Sequence, residues 1–295
     1  MNTDIFFLVI MCIVFVIGMI FSLWIFLRTP VKEESEAGMG YYCAALSEVG
    51  KREEQQDALW FSRMEESRDC LAVVADGMGG LKNGGVISGI ITEQMRNALF
   101  APDRPEEPVM FLQNALWKVN EYVNAYLDTC PNENGGSTIV AAYIREQKLY
   151  FLSVGDSRIY LVRNHTIKKL NIEHNFGNQL DDLARQGIIS VEEARENRQR
   201  AALTSYVGMG DITKIDGNVE PIRLEKDDIV LLMSDGVFGT LRDEEILACA
   251  EFEGKRSAHK GTEACEQLVS RIKEQVETRG KLKQDNYSVV AIRFV

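Results

Sequence analysis

The chain has 295 residues, 45% hydrophobic and 26% charged, with a formal net charge of −11. That balance suits one large globular domain or two small ones, with a core that needs no disulfide staples. The acidic surplus and the lack of a Lys/Arg block argue against nucleic acid as a partner, because phosphate-backbone binding depends on clustered basic residues. The six cysteines, Cys12, Cys43, Cys70, Cys130, Cys249 and Cys265, form no C-x-x-C pair. Such scattered thiols suggest a reducing compartment.

The first element is the run 5–27, IFFLVIMCIVFVIGMIFSLWIFL, which carries no charge. As a helix it spans roughly 35 Å at about 1.5 Å per residue, enough to cross a bilayer. A cleaved signal peptide would want a basic segment ahead of a shorter apolar run, but only Asp4 precedes this one. The expectation is therefore a retained transmembrane anchor. Arg28 and Lys32 follow the span and no basic residue precedes it. That places the C-terminal bulk in the cytoplasm and residues 1–4 outside. The span holds no polar site of its own and reads as a plain anchor. Residues 28–40, RTPVKEESEAGMG, read as a short tether. Residues 41–295 contain no repeat and read as one domain.

Within that domain, strands are expected over 41–46, 57–62, 70–75, 137–144, 148–154, 157–163, 228–234 and 287–294. CLAVVA and IVLLM are apolar on both faces, so a layer is expected on each side of them. Helical spacing marks 85–99, 108–127 and 262–278, and a helix pair is expected over 178–197. Ser190 and Glu193 would form a capping box for the second helix of that pair. Segments 137–163 read as a meander, since the gaps are too short for crossover helices. Grouped strands with helices apart suggest α+β layers.

Several familiar sites are excluded. G-x-G-x-x-G fails at Lys82, and a Walker loop fails at Gly85. Cys265 and Arg271 have the C-x5-R spacing of cysteine phosphatases. However, CEQLVSR has no glycine and sits in a helical pattern, where no backbone N–H is free to cradle phosphate. Cys265 is expected in the core and Arg271 on the surface. His165, His174 and His259 are not at zinc-ligand spacing.

Acids at strand ends are the recurrent signal. VVADGMGG places Asp76 and Gly77 after an apolar run, and LLMSDG does the same with Asp235. FLSVGDSR places Asp156 between strands, QDNYSVV places Asp285 before the last strand, and EEQQDALWF places Asp57 at the start of an early one. Any one of these reads most simply as a turn. Five of them on the rims of hydrophobic strands can converge, and gathered carboxylates repel one another until a cation relieves them. All-oxygen ligation suits Mg²⁺ or Mn²⁺. Gly77 would let a backbone carbonyl approach a metal with no Cβ in the way.

The ordered set Arg52-x4-Asp57, VVADGMGG, GGSTIVAAYI, LYFLSVGDSRIYL, LLMSDG and QDNYSVVAI resembles the metal-dependent Ser/Thr phosphatases of the PP2C-like (PPM) family, in its bacterial style. The resemblance covers about residues 41–295. HNFGNQLDDLARQGIISVEEA, with RAALTSYVGMGD after it, is similar to the insert those enzymes carry before their SDG motif. The resemblance implies an α+β fold of the PP2C-like α-β-β-α type, two antiparallel sheets flanked by helix pairs, with two Mn²⁺ or Mg²⁺ ions at one end. It implies that Asp76 bridges the metals and Gly77 offers its carbonyl, while Asp235 and Asp285 hold one metal. Asp156 would serve a third ion or a structural turn. Arg52 would clamp the substrate phosphate, for which its planar fork is suited, and Asp57 would orient a metal-bound water. Met78 stands where many relatives carry a proton-donating His, and Gly239 where many carry a further Asp. The implied partners are phosphorylated proteins and a cognate Ser/Thr kinase. The alternative is a catalytically inactive phosphoprotein-binding module on the same fold.

Overall fold

The runs that are apolar on both faces become the central strands of two antiparallel sheets in the computed structural model, which describes residues 40–62, 69–78, 83–130, 135–251, 261–279 and 282–295. Five strands make the first sheet. In spatial order they are β1 (Tyr41–Glu48), β12 (Tyr287–Phe294), β11 (Ile229–Met233), β7 (Arg158–Arg163) and β8 (Thr166–Lys169). The second sheet runs β10 (Ile222–Arg223), β6 (Lys148–Val154), β5 (Ile139–Arg145), β3 (Cys70–Met78) and β2 (Asp57–Phe61). The short β4 (Gly136–Ser137) pairs with β3, and β9 (Asp216–Gly217) pairs with β6.

Alternation along the strands separates the two faces of each sheet. On β3, Leu71, Val73 and Ala75 face a core shared with helices α1 (Asn83–Leu99) and α2 (Pro108–Asp128). On β11 and β12, Leu231, Met233, Val289 and Ala291 face a second core. That core is shared with α6 (Asp243–Glu251) and α7 (Gly261–Arg279). The intervening residues Ala72, Val74, Val230, Leu232, Val290 and Ile292 are also fully buried. They fill the space between the sheets, where Cys43 Sγ and Cys70 Sγ lie 3.9 Å apart. This is the layered α+β architecture that the strand and helix patterns implied.

Local signals explain the helix ends. The Glu107 carboxylate accepts from Val109 N and Met110 N at 3.1 and 2.7 Å, and Pro108 opens α2 with no N–H to satisfy. The expected helix pair is α3 (Phe176–Arg185) and α4 (Val191–Glu196), and both capping-box bonds of Ser190 and Glu193 are made. Cys265 is buried in α7 as expected. Arg271 is less exposed than expected, because its guanidinium donates to Cys249 O at 3.0 Å.

One expected arrangement is corrected. Segments 137–163 do not form a single meander. β5 and β6 pair as neighbours, but β7 leaves them and pairs with β11 and β8 in the other sheet. The chain makes that change through Gly155, at φ 105°, and Asp156. Hydrophobic pattern reports that a strand is buried, not which strand lies beside it.

Residues Gly40–Val295 form one compact unit. The apolar span expected over 5–27, and the tether as far as residue 39, lie outside the described residues. Among the described residues no helix is long and apolar enough to cross a membrane.

Candidate active site

The five acids come from both sheets. Asp57 opens β2 and stands directly opposite Asp76 on β3. Asp235 begins the short helix α5 (Asp235–Phe238) just after β11, and Asp285 precedes β12, the neighbour of β11. Asp156 lies in the turn that carries the chain between the sheets. Their mutual repulsion shows in their acidities. The Asp76 carboxyl is pushed well above the usual range by burial, and then by Asp57, Asp235, Asp156 and Asp285. Burial, followed by Asp235 and Glu173, raises Asp156 to about 7. Burial and Asp285 raise Asp235, against a hydrogen bond with Asp76 and the charge of Arg52.

The backbone around Asp76 is held from GGST. Asp76 O accepts from Ser137 Oγ and from Thr138 N, each at 2.9 Å. Asp76 N donates to Thr138 Oγ1 at 3.2 Å, and that hydroxyl meets Ser157 Oγ at 2.8 Å. The acid is thus aimed by its main chain, and its carboxyl shares a hydrogen bond with Asp235. Gly77 follows because nothing larger fits. A Cβ there would lie 2.1 Å from Gly84 O and 2.6 Å from Gln56 O, both backbone atoms.

Asp57 is the most enclosed of the acids. Its Oδ2 accepts from Ser234 Oγ at 2.7 Å, and Ser234 Oγ in turn accepts from Ser288 N at 2.8 Å. Its Oδ1 is buried with no hydrogen-bond partner. Burial raises this carboxyl to about 6, with the serine hydrogen bonds pulling the other way.

Arg52 and Asp285 are each other's partner, with Nη2 and Oδ2 at 2.6 Å. The two side chains are 61% and 38% exposed. An exposed pair of this kind contributes about 0–1 kcal/mol, so the pair can part at small cost.

Among the described residues, no group of three His, Cys, Asp or Glu side chains closes round one point as a ready metal cage. One of the expected ligands, Asp285, is turned toward Arg52. The donor set nevertheless fits a hard, largely hydrated cation. It is all oxygen, its carboxyls push one another upward, and it includes the orphaned Asp57 Oδ1. Ser137, Thr138, Ser234 and Ser288 went unremarked in the sequence, although each lies inside a motif already singled out. The only signal was a polar residue at a buried position of an otherwise apolar strand.

Residues 47–284 match the family model described as Protein phosphatase 2C. The chain belongs to the protein phosphatase 2C family. It is 31% identical over 180 residues to the serine/threonine phosphatase stp of Listeria monocytogenes serotype 4b, covering 60% of this chain and 69% of that one. The PPM Ser-Thr phosphatase MsPP of Mycobacterium smegmatis, solved with cacodylate, is 27% identical. It matches with a TM-score of 0.65 over 86% of this chain and 98% of its own. The catalytic domain of the phosphatase PstP, solved with two manganese ions, shares the fold at a TM-score of 0.66 and 24% identity, over 87% of this chain and 99% of its own. The family resemblance of the ordered motifs is borne out, and the chain is a serine/threonine phosphatase of the PP2C type.

The raised acids give the phosphatase a distinctive pH response. A carboxyl whose pKa rises on folding favours the folded state while it is protonated. That contribution is complete below the unfolded value of 3.8 and disappears as pH climbs through about 6 for Asp57 and about 7 for Asp156. In EDTA, the Tm of the phosphatase is expected to fall between about pH 4 and pH 7, and Asp57→Asn is expected to flatten that slope. A Tm that rises across this interval in both proteins would contradict the assignment.

Proposed function

We propose that this phosphatase hydrolyses phosphoserine and phosphothreonine in proteins with the help of two Mn²⁺ or Mg²⁺ ions, at the cytoplasmic face of a membrane. The observation that carries the reading is the placing of Asp57 opposite Asp76, with Asp235 and Asp285 brought to the same rim from the other sheet. On this reading Asp76 would be shared by both ions and Gly77 would offer its carbonyl, Asp235 and Asp285 would hold one ion, and Asp156 is a weaker candidate, for a third ion or a structural turn. The two manganese ions of PstP support the same count. When bound, the ions supply Lewis acidity, which lowers the pKa of water and offsets charge on the phosphoryl oxygens.

The chain's own residues do the rest. Arg52 exchanges Asp285 for two phosphoryl oxygens and orients the phosphorus. Asp57, with Oδ2 fixed by Ser234, uses Oδ1 to accept a hydrogen bond from the attacking water and to hold its proton. Met78 has no proton to give, so the leaving hydroxyl takes its proton from water. Cys249 and Cys265 are unsuited to act as nucleophiles: both are buried, and burial pushes both upward, away from the thiolate.

The membrane part of the reading rests on the uncharged run 5–27, with Arg28 and Lys32 after it. The substrates would be phosphoproteins on that face, opposed by a Ser/Thr kinase. The deciding assay is phosphate release from a phosphothreonine peptide by the full chain in Mn²⁺, in Mg²⁺ and in EDTA. Turnover is expected in at least one metal, with loss in EDTA and recovery when metal is restored. Peptide binding without turnover in either metal would make the protein a binding module instead. Retention in carbonate-washed membranes, lost on deleting residues 1–39, is the result expected of the anchor.

A further inference from the structure

The loop from Val49 to Gln56 carries Arg52 and leads into Asp57. It joins β1 to β2 and so passes from one sheet to the other. Residues 51–54 are exposed. Within the loop, Arg52 N donates to Val49 O at a long 3.3 Å. Gln56 O at its far end is held from α1 and β3, by Ser88 Oγ at 2.6 Å and Gly77 N at 3.1 Å, and Gln55 Nε2 donates to Ser47 Oγ at 2.8 Å. The bonds that reach residues on both sides of Arg52 come from the turn before β12, more than two hundred residues later in the chain.

Asn286 is the centre of that attachment, and it is 5% exposed. Its Nδ2 donates to Val49 O at 2.8 Å and to Glu54 O at 3.0 Å. Its Oδ1 accepts from Gln56 N at 2.9 Å. One side-chain amide thus closes both ends of the loop. The neighbours of Asn286 add to the hold. Lys51 N donates to Gln284 O at 2.8 Å, and Gly50 sits so close beneath Asp285 that a Cβ would lie 2.2 Å from Asp285 O. Asn286 N donates to Asp285 Oδ1 at 2.9 Å, which leaves Oδ2 for Arg52.

We propose that Asn286 is a positioning residue for phosphate recognition, stapling the Arg52 loop to the Asp285 turn so that guanidinium and acid keep one geometry. The inference rests on the reading of Arg52 as the phosphate clamp. An exposed arginine on an untethered loop would have to be ordered anew by each substrate, at an entropic cost that weakens binding. A loop closed at both ends by a buried amide is ordered beforehand. Asn suits the task because its amide offers one acceptor and two donors in one plane, matched to one N–H and two carbonyls. Aspartate would lack the donors.

The test is a double-mutant cycle on the full chain, with Arg52→Ala, Asn286→Ala and both together. It reads kcat/KM for a phosphothreonine peptide in saturating Mn²⁺. Asn286→Ala is expected to lower kcat/KM about tenfold, mainly through KM, when Arg52 is present, and less than about twofold when Arg52 is absent. A full Asn286→Ala loss in the Arg52→Ala protein would overturn the inference and leave the clamp reading intact. A harmless Arg52→Ala would instead overturn the clamp reading itself. Amide hydrogen exchange in EDTA gives a second readout that needs no turnover. Residues 51–56 are expected to exchange faster in Asn286→Ala while β11 and β12 are unchanged, and an unchanged loop would overturn the proposal. Should Asn286→Ala fail to fold, Gly50→Ala wedges the same loop away from Asp285 and is expected to give the same dependence on Arg52.

Discussion

Asp76→Asn is expected to lower turnover about a thousandfold, the range seen when a buried electrostatic partner is removed from the reacting charge. The substitution is nearly isosteric. The four groups that fix residue 76 in place, on Ser137, Thr138 and Ser157, act on its backbone or on one another and are kept. What changes is charge at the one position that is pushed upward by all four of the other acids. Removing a carboxyl that resists ionisation should also raise the Tm in EDTA. Reduced turnover with increased metal-free stability would therefore mark Asp76 as a residue kept for chemistry at the expense of the fold. The measurement is the initial rate of phosphate release in saturating Mn²⁺, paired with Tm in EDTA. Retention of a tenth of the rate would remove Asp76 from the centre of the site.

Gly77→Ala is expected to cost about 3 kcal/mol or more and to lower the Tm by roughly 6–12 °C. The added methyl would meet Gly84 O at 2.1 Å, Gly84 C at 2.4 Å and Gln56 O at 2.6 Å. All three are backbone atoms, so no side chain can swing aside. Relief requires the end of β3 to part from the first turn of α1, and that moves Asp76. Activity and stability are thus expected to fall together, unlike in Asp76→Asn. Gly89 in the same helix is the control. A Cβ there meets nothing within 4 Å, and Ala is expected to stabilise the protein by about 0.5–1 kcal/mol. Thermal melts of the two variants decide the matter, and equal Tm values would contradict the close-approach argument.

The acids were legible in the sequence because a carboxylate at the edge of a buried strand is an exception to the apolar pattern around it. The strand at 287–294 and the helix pair with its Ser190 and Glu193 cap were legible for the same kind of reason, since each has a local signature. What escaped was pairing. Nothing in FLSVGDSRIYL says that the chain changes sheets at Asp156. Nothing in the early RxxxxD stretch says that Arg52 will lie 2.6 Å from an aspartate 233 positions later. Helix α6 was missed because DEEILACAE is short and buries only Ile246 and Cys249. The strand TIKK was missed because it lies at a sheet edge and is largely exposed. Residues 5–27 have the plainest pattern of all, and their reading still rests on sequence.

The change of sheet between β6 and β7 has a consequence for how the enzyme fails. Asp57 and Asp76 ride on one sheet, and Asp235 and Asp285 on the other. Between them lies a buried layer of side chains such as Val74, Val230 and Val290, which opposes sliding only through fit. The directional bonds from one half to the other, such as Ser234 Oγ to Asp57 Oδ2 and Asn286 to the Arg52 loop, thus lie at the rim of the site itself. The constellation of acids is therefore a vernier for the alignment of the two halves. A shear too small to melt any strand would already misalign it, so catalytic competence is the most fragile property of a sandwich that is otherwise robust.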